Sequence, residues 1–213
     1  MRQLSFDKIG GWGGKRRGAG RAKKSERVAH GKRERITLQK PMLITLKLGS
    51  GIISLRDPRL LLEFRRAIAI AKRFELYVIH FSMLSDHIHL LVEAPSNHAL
   101  GLGMRSLCTR MAKAIRREAG GRGRVFAGRY HVHVLCTPTE VRNALRYVLL
   151  NFSKHARLIT HIDDYSSGHA FKEWRSLANS PLLDEQLDGR SPVLIELSQP
   201  QSWLAREGWK RAS

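Results

Sequence analysis

The chain reads as an α+β protein with the ferredoxin-like, split βαβ order and a central antiparallel sheet. Three observations carry that expectation. The apolar period switches between two and 3.6 residues along the chain, two helix starts are marked by a capping residue followed by Pro, and two β-rich runs are separated by only Ser85-Asp86. An added C-terminal helix follows the sixth element and would carry the chemistry. The sequence divides into a basic Gly/Arg-rich arm at 1–40, a central domain at 41–157 and a C-terminal extension at 158–213.

The elements follow in order. Residues 1–40 have little to bury, so the arm is expected to be largely disordered, with order beginning near Pro41. Met42–Leu48 has strand character and precedes the turn signal Gly49-Ser50-Gly51. Asp57-Pro58 is a helix start, after which Leu61, Phe64, Ile68 and Ala71 recur at helical spacing. Glu75–Leu84 and His87–Glu93 should form a hairpin. Asn97 is the expected cap of the next helix, with Leu100, Met104, Leu107, Met111 and Ile115 as its apolar stripe and Gly120-Gly121 as its stop. Arg122–Cys136 begins as a basic, Gly-broken loop and then alternates like a strand. Thr137-Pro138-Thr139-Glu140 is a capping box whose helix is expected to run to about His155, while the tail beyond it is expected to be irregular.

Charge narrows the function class. The 213 residues carry a formal net charge of +20, and the first 40 hold 13 Lys/Arg against Asp7, Glu26 and Glu34. Such an excess favours a polyanionic partner, with nucleic acid ahead of a membrane surface because no long basic amphipathic helix is evident. Only Cys108 and Cys136 occur, without a CxxC pair, which argues against a zinc ribbon and a disulfide framework. No signal-peptide core or membrane-length apolar run appears, so a cytoplasmic protein is expected.

The chemistry-bearing residues sit on two elements. On a strand His87 and His89 point to one face while Ile88 and Leu90 point to the other, so the two imidazoles can share one divalent metal. On the last core helix Tyr147 and Asn151 lie one turn apart at the edge of the stripe Val141, Ala144, Leu145, Val148 and Phe152, and Lys154 continues that line. Tyr offers a phenolic nucleophile, Asn an amide oxygen for a metal, and Lys a cation for phosphate. Spacing alone leaves the ordinary readings open: a structural HxH and a rim tyrosine with a polar neighbour. His131-Val132-His133 is a second HxH and Tyr130 a second candidate nucleophile, although neither has a matching Tyr–Asn helix.

SDHIHLLVE (Ser85–Glu93), GRGRVFAGRYH (Gly121–His131) and TPTEVRNALRYVLLNFSKH (Thr137–His155), with the P-x-x-x-T-L strand at Pro41–Leu46, together resemble the REP-associated tyrosine transposases. These belong to the single-tyrosine HUH endonucleases and carry an insertion-sequence-200-like transposase domain. The resemblance spans roughly residues 35–157, with further likeness in parts of the tail. It implies Tyr147 as nucleophile, His87, His89 and Asn151 as ligands of Mg²⁺ or Mn²⁺, and a 5′-phosphotyrosine intermediate. It also implies single-stranded or hairpin DNA as partner and a bacterial, nucleoid-associated setting.

Arg122, Arg124 and Arg129 around Phe126, with Tyr130, His131 and Lys154, are the expected DNA contacts of the domain, and Lys15, Arg16 and Arg17 those of the arm. Trp203 and Trp209 are expected to anchor the tail. Both a monomer and a homodimer, in which Tyr147 would act in trans, are compatible with the sequence. Two other classes remain: a DNA-binding regulator or architectural protein without catalysis, and an HxH metallohydrolase drawing on Asp86 or Glu93.

Overall fold

Asp57 opens the first helix as its sequence suggests. In a computed structural model of the chain, which describes residues 35–37, 40–51, 54–119, 123–151, 162–178 and 197–212, the Asp57 carboxylate accepts from the Arg59 N–H at 2.8 Å. The elements run β1 (Met42–Lys47), α1 (Pro58–Ala71), β2 (Tyr77–Met83), β3 (His87–Glu93), α2 (Asn97–Ala119), β4 (His131–Val134) and α3 (Pro138–Leu150). Two short helices follow, α4 (Trp174–Ala178) and α5 (Trp203–Arg206). The four strands form one antiparallel sheet in the order β2-β3-β1-β4, the ferredoxin-like arrangement.

Strand alternation sorts side chains onto two faces. Met42, Ile44, Leu46, Ile88, Leu90 and Val92 bury against α1 and α2, where Phe64, Ile68, Met104, Leu107 and Met111 complete one core. Leu43 and Leu91 face the other way, against Val141, Ala144, Leu145 and Leu149 of α3 and the buried tail residues Phe171, Trp174 and Trp209. The helix α3 is therefore tied to the sheet by its own apolar stripe, and its capping box is complete: Thr137 Oγ1 accepts from Glu140 N, and the Glu140 carboxylate accepts from Cys136 N and Thr137 N. The expected run of this helix beyond Asn151 lies outside the described residues.

Three expectations need correction. Order starts before Pro41: Ile36 is buried, and its N–H donates to Asn97 Oδ1 at 2.8 Å. Asn97, its side-chain oxygen so engaged, is the first residue of α2, and the cap is Ser96, whose Oγ accepts from Ala99 N at 3.1 Å. The tail, irregular as expected apart from its short helices, buries Trp174 as well as Trp209 against the α3 core, and the sequence reading gave Trp174 no part. Of the two expected anchors only Trp209 is one, since Trp203 is 50% exposed and packs on Gly208 and under Arg211. The arm at 1–34 lies outside the described residues. Among the described residues no helix is long and apolar enough to cross a membrane.

Candidate active site

The hairpin and α3 meet on the sheet face opposite α1 and α2. His87 and His89 stand side by side on β3 with ring centroids 4.6 Å apart, and Ile88 between them is buried on the other face. Tyr147 comes down from α3 with its hydroxyl 3.1 Å from His89 Nε2 and its ring 4.6 Å from the imidazole. Both groups belong to one chain, so no second subunit is needed to bring the phenol to the histidine pair. Asn151 follows one turn later as the half-buried C-cap residue of α3.

The Nδ1 atom of each histidine is held. Asp86 Oδ1 lies 2.6 Å from His87 Nδ1, and this hydrogen bond is the main reason the Asp86 carboxyl titrates below its usual range. Thr45 Oγ1 lies 3.0 Å from His89 Nδ1, because β1 pairs with β3 in the register that sets Thr45 opposite His89. Second-shell partners of this kind orient an imidazole and assign its other nitrogen, Nε2, to coordination. Two imidazoles held in this way suit a divalent cation of the Mg²⁺ or Mn²⁺ type, and Asn151, one turn after Tyr147, is the sequence's candidate for a third ligand. Among the described residues no three His, Cys, Asp or Glu side chains converge.

The other sequence candidates divide. His131 lies on β4 opposite Thr45, on the same face as His89, and is exposed. Tyr130 is half-buried and packs against the α1/α2 core. Arg124 and Arg129 are exposed on a loop that pairs with the end of β1: Gly49 N donates to Val125 O and Ala127 N to Lys47 O. A Cβ on Gly49 would lie 3.1 Å from Arg124 O, so the close approach of this loop relies on glycine. The same end of β1 carries Lys47 opposite His87, so the basic loop borders the site. His133 faces Glu140 at 4.0 Å. Arg122, Lys154, Lys15, Arg16 and Arg17 lie outside the described residues.

Glu93 is closed to metal chemistry. It is fully buried, and its two oxygens accept from Gln201 N at 2.7 Å and Ser202 N at 3.0 Å. That removes one of the two acids on which a metallohydrolase would have drawn. The sequence reading assigned no role to Thr45 or Lys47. Their even spacing with Leu43 marks a shared face, but the pairing register that brings them to the histidines is a tertiary fact.

Residues 61–151 match the family model described as IS200-like transposase. Over this stretch the chain is similar to IS200-like transposase domains. The stretch contains His87, His89, Tyr147 and Asn151, and it reaches from α1 to the C-cap of α3. The fold of the chain is similar to that of a solved REP-associated tyrosine transposase bound to a REP hairpin, with a TM-score of 0.52 and 18% sequence identity. The similarity covers 81% of this chain and 98% of the other. No curated protein matches the chain.

Proposed function

We propose that the protein is a metal-dependent tyrosine transposase that cuts and rejoins single-stranded DNA next to a REP-like hairpin. The observation that carries this reading is the 3.1 Å approach of the Tyr147 hydroxyl to His89 Nε2, beside His87. The transposase family match and the hairpin-bound structural relative support the choice of DNA as substrate.

In this reading His87, His89 and Asn151 hold Mg²⁺ or Mn²⁺, which when bound supplies Lewis acidity at a non-bridging oxygen of the scissile phosphate. The protein's own residues do the rest. The α3 packing holds the Tyr147 ring over the imidazole pair. Its oxygen attacks phosphorus, the bond to the 3′ oxygen breaks, and the products are a 5′-phosphotyrosine and a free 3′-OH. Reversal by another 3′-OH joins strands and restores the phenol. A phenol with an ordinary pKa of about 10 needs nearby positive charge to lose its proton at neutral pH, and Lys154, seven positions beyond Tyr147 in sequence, is assigned that part. Arg124, Arg129 and His131 border the cleft and would hold the strand. A nucleoid setting belongs to the same proposal, and the formal net charge of +20 supports it.

The test is a labelled single-stranded hairpin incubated with Mn²⁺ and run on a denaturing gel. The expected result is a covalent protein–DNA adduct that disappears on chelation. A Tyr147→Phe protein should bind the hairpin with unchanged affinity and form at least 10³-fold less adduct, the order expected when a nucleophile is removed. Hairpin binding with no adduct from folded wild-type protein would instead identify a non-catalytic DNA binder.

A further inference from the structure

His89 is the residue on which the site turns, and its environment is unusually specific. It is 2% exposed, so its ring nitrogens depend on protein partners for their hydrogen bonds. Across the β2–β3 ladder it faces Ser82, whose buried hydroxyl has no hydrogen-bond partner among the described residues. Across the β1–β3 ladder it faces Thr45, whose hydroxyl lies 3.0 Å from Nδ1. Tyr147 OH approaches the opposite nitrogen, Nε2.

A threonine hydroxyl can donate or accept, so two proton arrangements fit this geometry. In one, Nδ1–H donates to Thr45 and the Nε2 lone pair faces Tyr147. In the other, Thr45 donates to a bare Nδ1, and an Nε2–H donates to the phenol oxygen. A phenol is the better donor, because its oxygen lone pair is delocalised into the ring. The first arrangement therefore uses both groups in their stronger sense. His87 follows the same logic: its Nδ1 faces the acceptor-only carboxylate of Asp86, so Nδ1–H is the form that the contact favours.

We propose that Thr45 is the positioning residue of the site: it accepts the Nδ1 proton of His89 and dedicates Nε2 of that ring to the side from which Tyr147 approaches. The consequence for metal binding rests on the reading above, that the two histidines hold a divalent cation. The proton assignment does not. Thr45 acts through His89 and has no contact of its own with DNA in this scheme.

The experiment uses the full-length chain labelled with ¹⁵N, and long-range proton–nitrogen correlation of the histidine rings at neutral pH. Wild-type His89 should be protonated at Nδ1 and bare at Nε2. Thr45→Val, nearly the same shape without the hydroxyl, should move His89 toward the Nε2–H form, and Thr45→Ser should restore the wild-type pattern. Mn²⁺ affinity, read by titration, should fall about 10- to 100-fold in Thr45→Val and recover in Thr45→Ser, as for other second-shell partners of a metal-bound histidine. Wild-type protein with the proton on Nε2 overturns the proposal even if the valine variant does not fold, and so does an unchanged ring pattern in a folded valine variant. The expected tautomers combined with no Mn²⁺ binding and no DNA adduct would leave Thr45 in its role and defeat the transposase chemistry instead.

Discussion

Tyr147 and His89 come from elements 58 positions apart in sequence, and their contact depends on two unrelated facts. Strand alternation puts His89 on the α3 face, and the helical period puts Tyr147 at the rim of the α3 stripe. A second histidine shows how differently the same side chain behaves elsewhere. His80, on β2, has its Nδ1 3.1 Å from Ser167 Oγ and its ring edge-on to Phe171, and burial lowers its pKa from 6.5 to about 4. Between these two values the unfolded chain binds a proton that the folded chain refuses. Stability therefore falls as the pH is lowered from about 7 toward 4, by about 3 kcal/mol from this group alone. Chemical denaturation at a series of pH values should show that slope in the wild type and a clearly shallower one in His80→Gln.

At the scale of elements, α3 has to hold a nucleophile in place while being only 13 residues long. Its N-terminus is secured by the capping box and its middle by Val141, Ala144, Leu145 and Val148. Thr137→Ala removes one arm of the box and should cost about 1 kcal/mol. For a chain of this length that corresponds to a fall in Tm of roughly 2–4 °C, measurable by calorimetry. A Thr137→Ala protein that melts with the wild type would show that packing on the sheet, and not the cap, sets the stability of α3. The hairpin is held more heavily, since β3 pairs along its length with both β1 and β2, and the one irregularity is the register shift between Val78 and His80 on the edge strand β2. That shift was not legible in the sequence, because Tyr77–Met83 alternates poorly, with the adjacent Val78 and Ile79 both buried near its start.

On the scale of the whole molecule, charge and the tail matter most. If Arg124 and Arg129 contact phosphates, each substitution by alanine should lower the salt slope of hairpin binding by roughly 0.7, the increment for one released counterion on a single strand. Affinities measured between low and moderate salt decide this, and an unchanged slope places both residues outside the interface. Two buried carboxylates are among the ties that hold the tail to the sheet domain. The Arg56 guanidinium makes two hydrogen bonds to Asp163, at 2.7 and 2.9 Å, and Glu93 holds the backbone of Gln201 and Ser202. Replacing a carboxylate that accepts two N–H groups by an amide turns one acceptor into a donor facing a donor. Glu93→Gln should therefore destabilise the fold by roughly 2 kcal/mol. Hydrogen exchange should show the amides of 201–206 opening first, with β1 and β3 still protected.

Local chemistry alone determined a good deal of this protein. The order of strands and helices, the starts at Asp57 and Thr137, the shared face of His87 and His89, and the one-turn spacing of Tyr147 and Asn151 all follow from periods and capping rules that act within a few residues. Ser96 displaced Asn97 as a cap because Asn97 is taken by Ile36, a residue 61 positions away. Tertiary structure decided that Thr45 serves His89, that the Arg124–Arg129 loop runs along the end of β1, that Tyr130 turns into the other core, and that Trp209 rather than Trp203 is buried. These are matters of strand register and of which face a distant segment covers. They are settled by the pairing of remote residues, whose energy no local stretch of the chain contains.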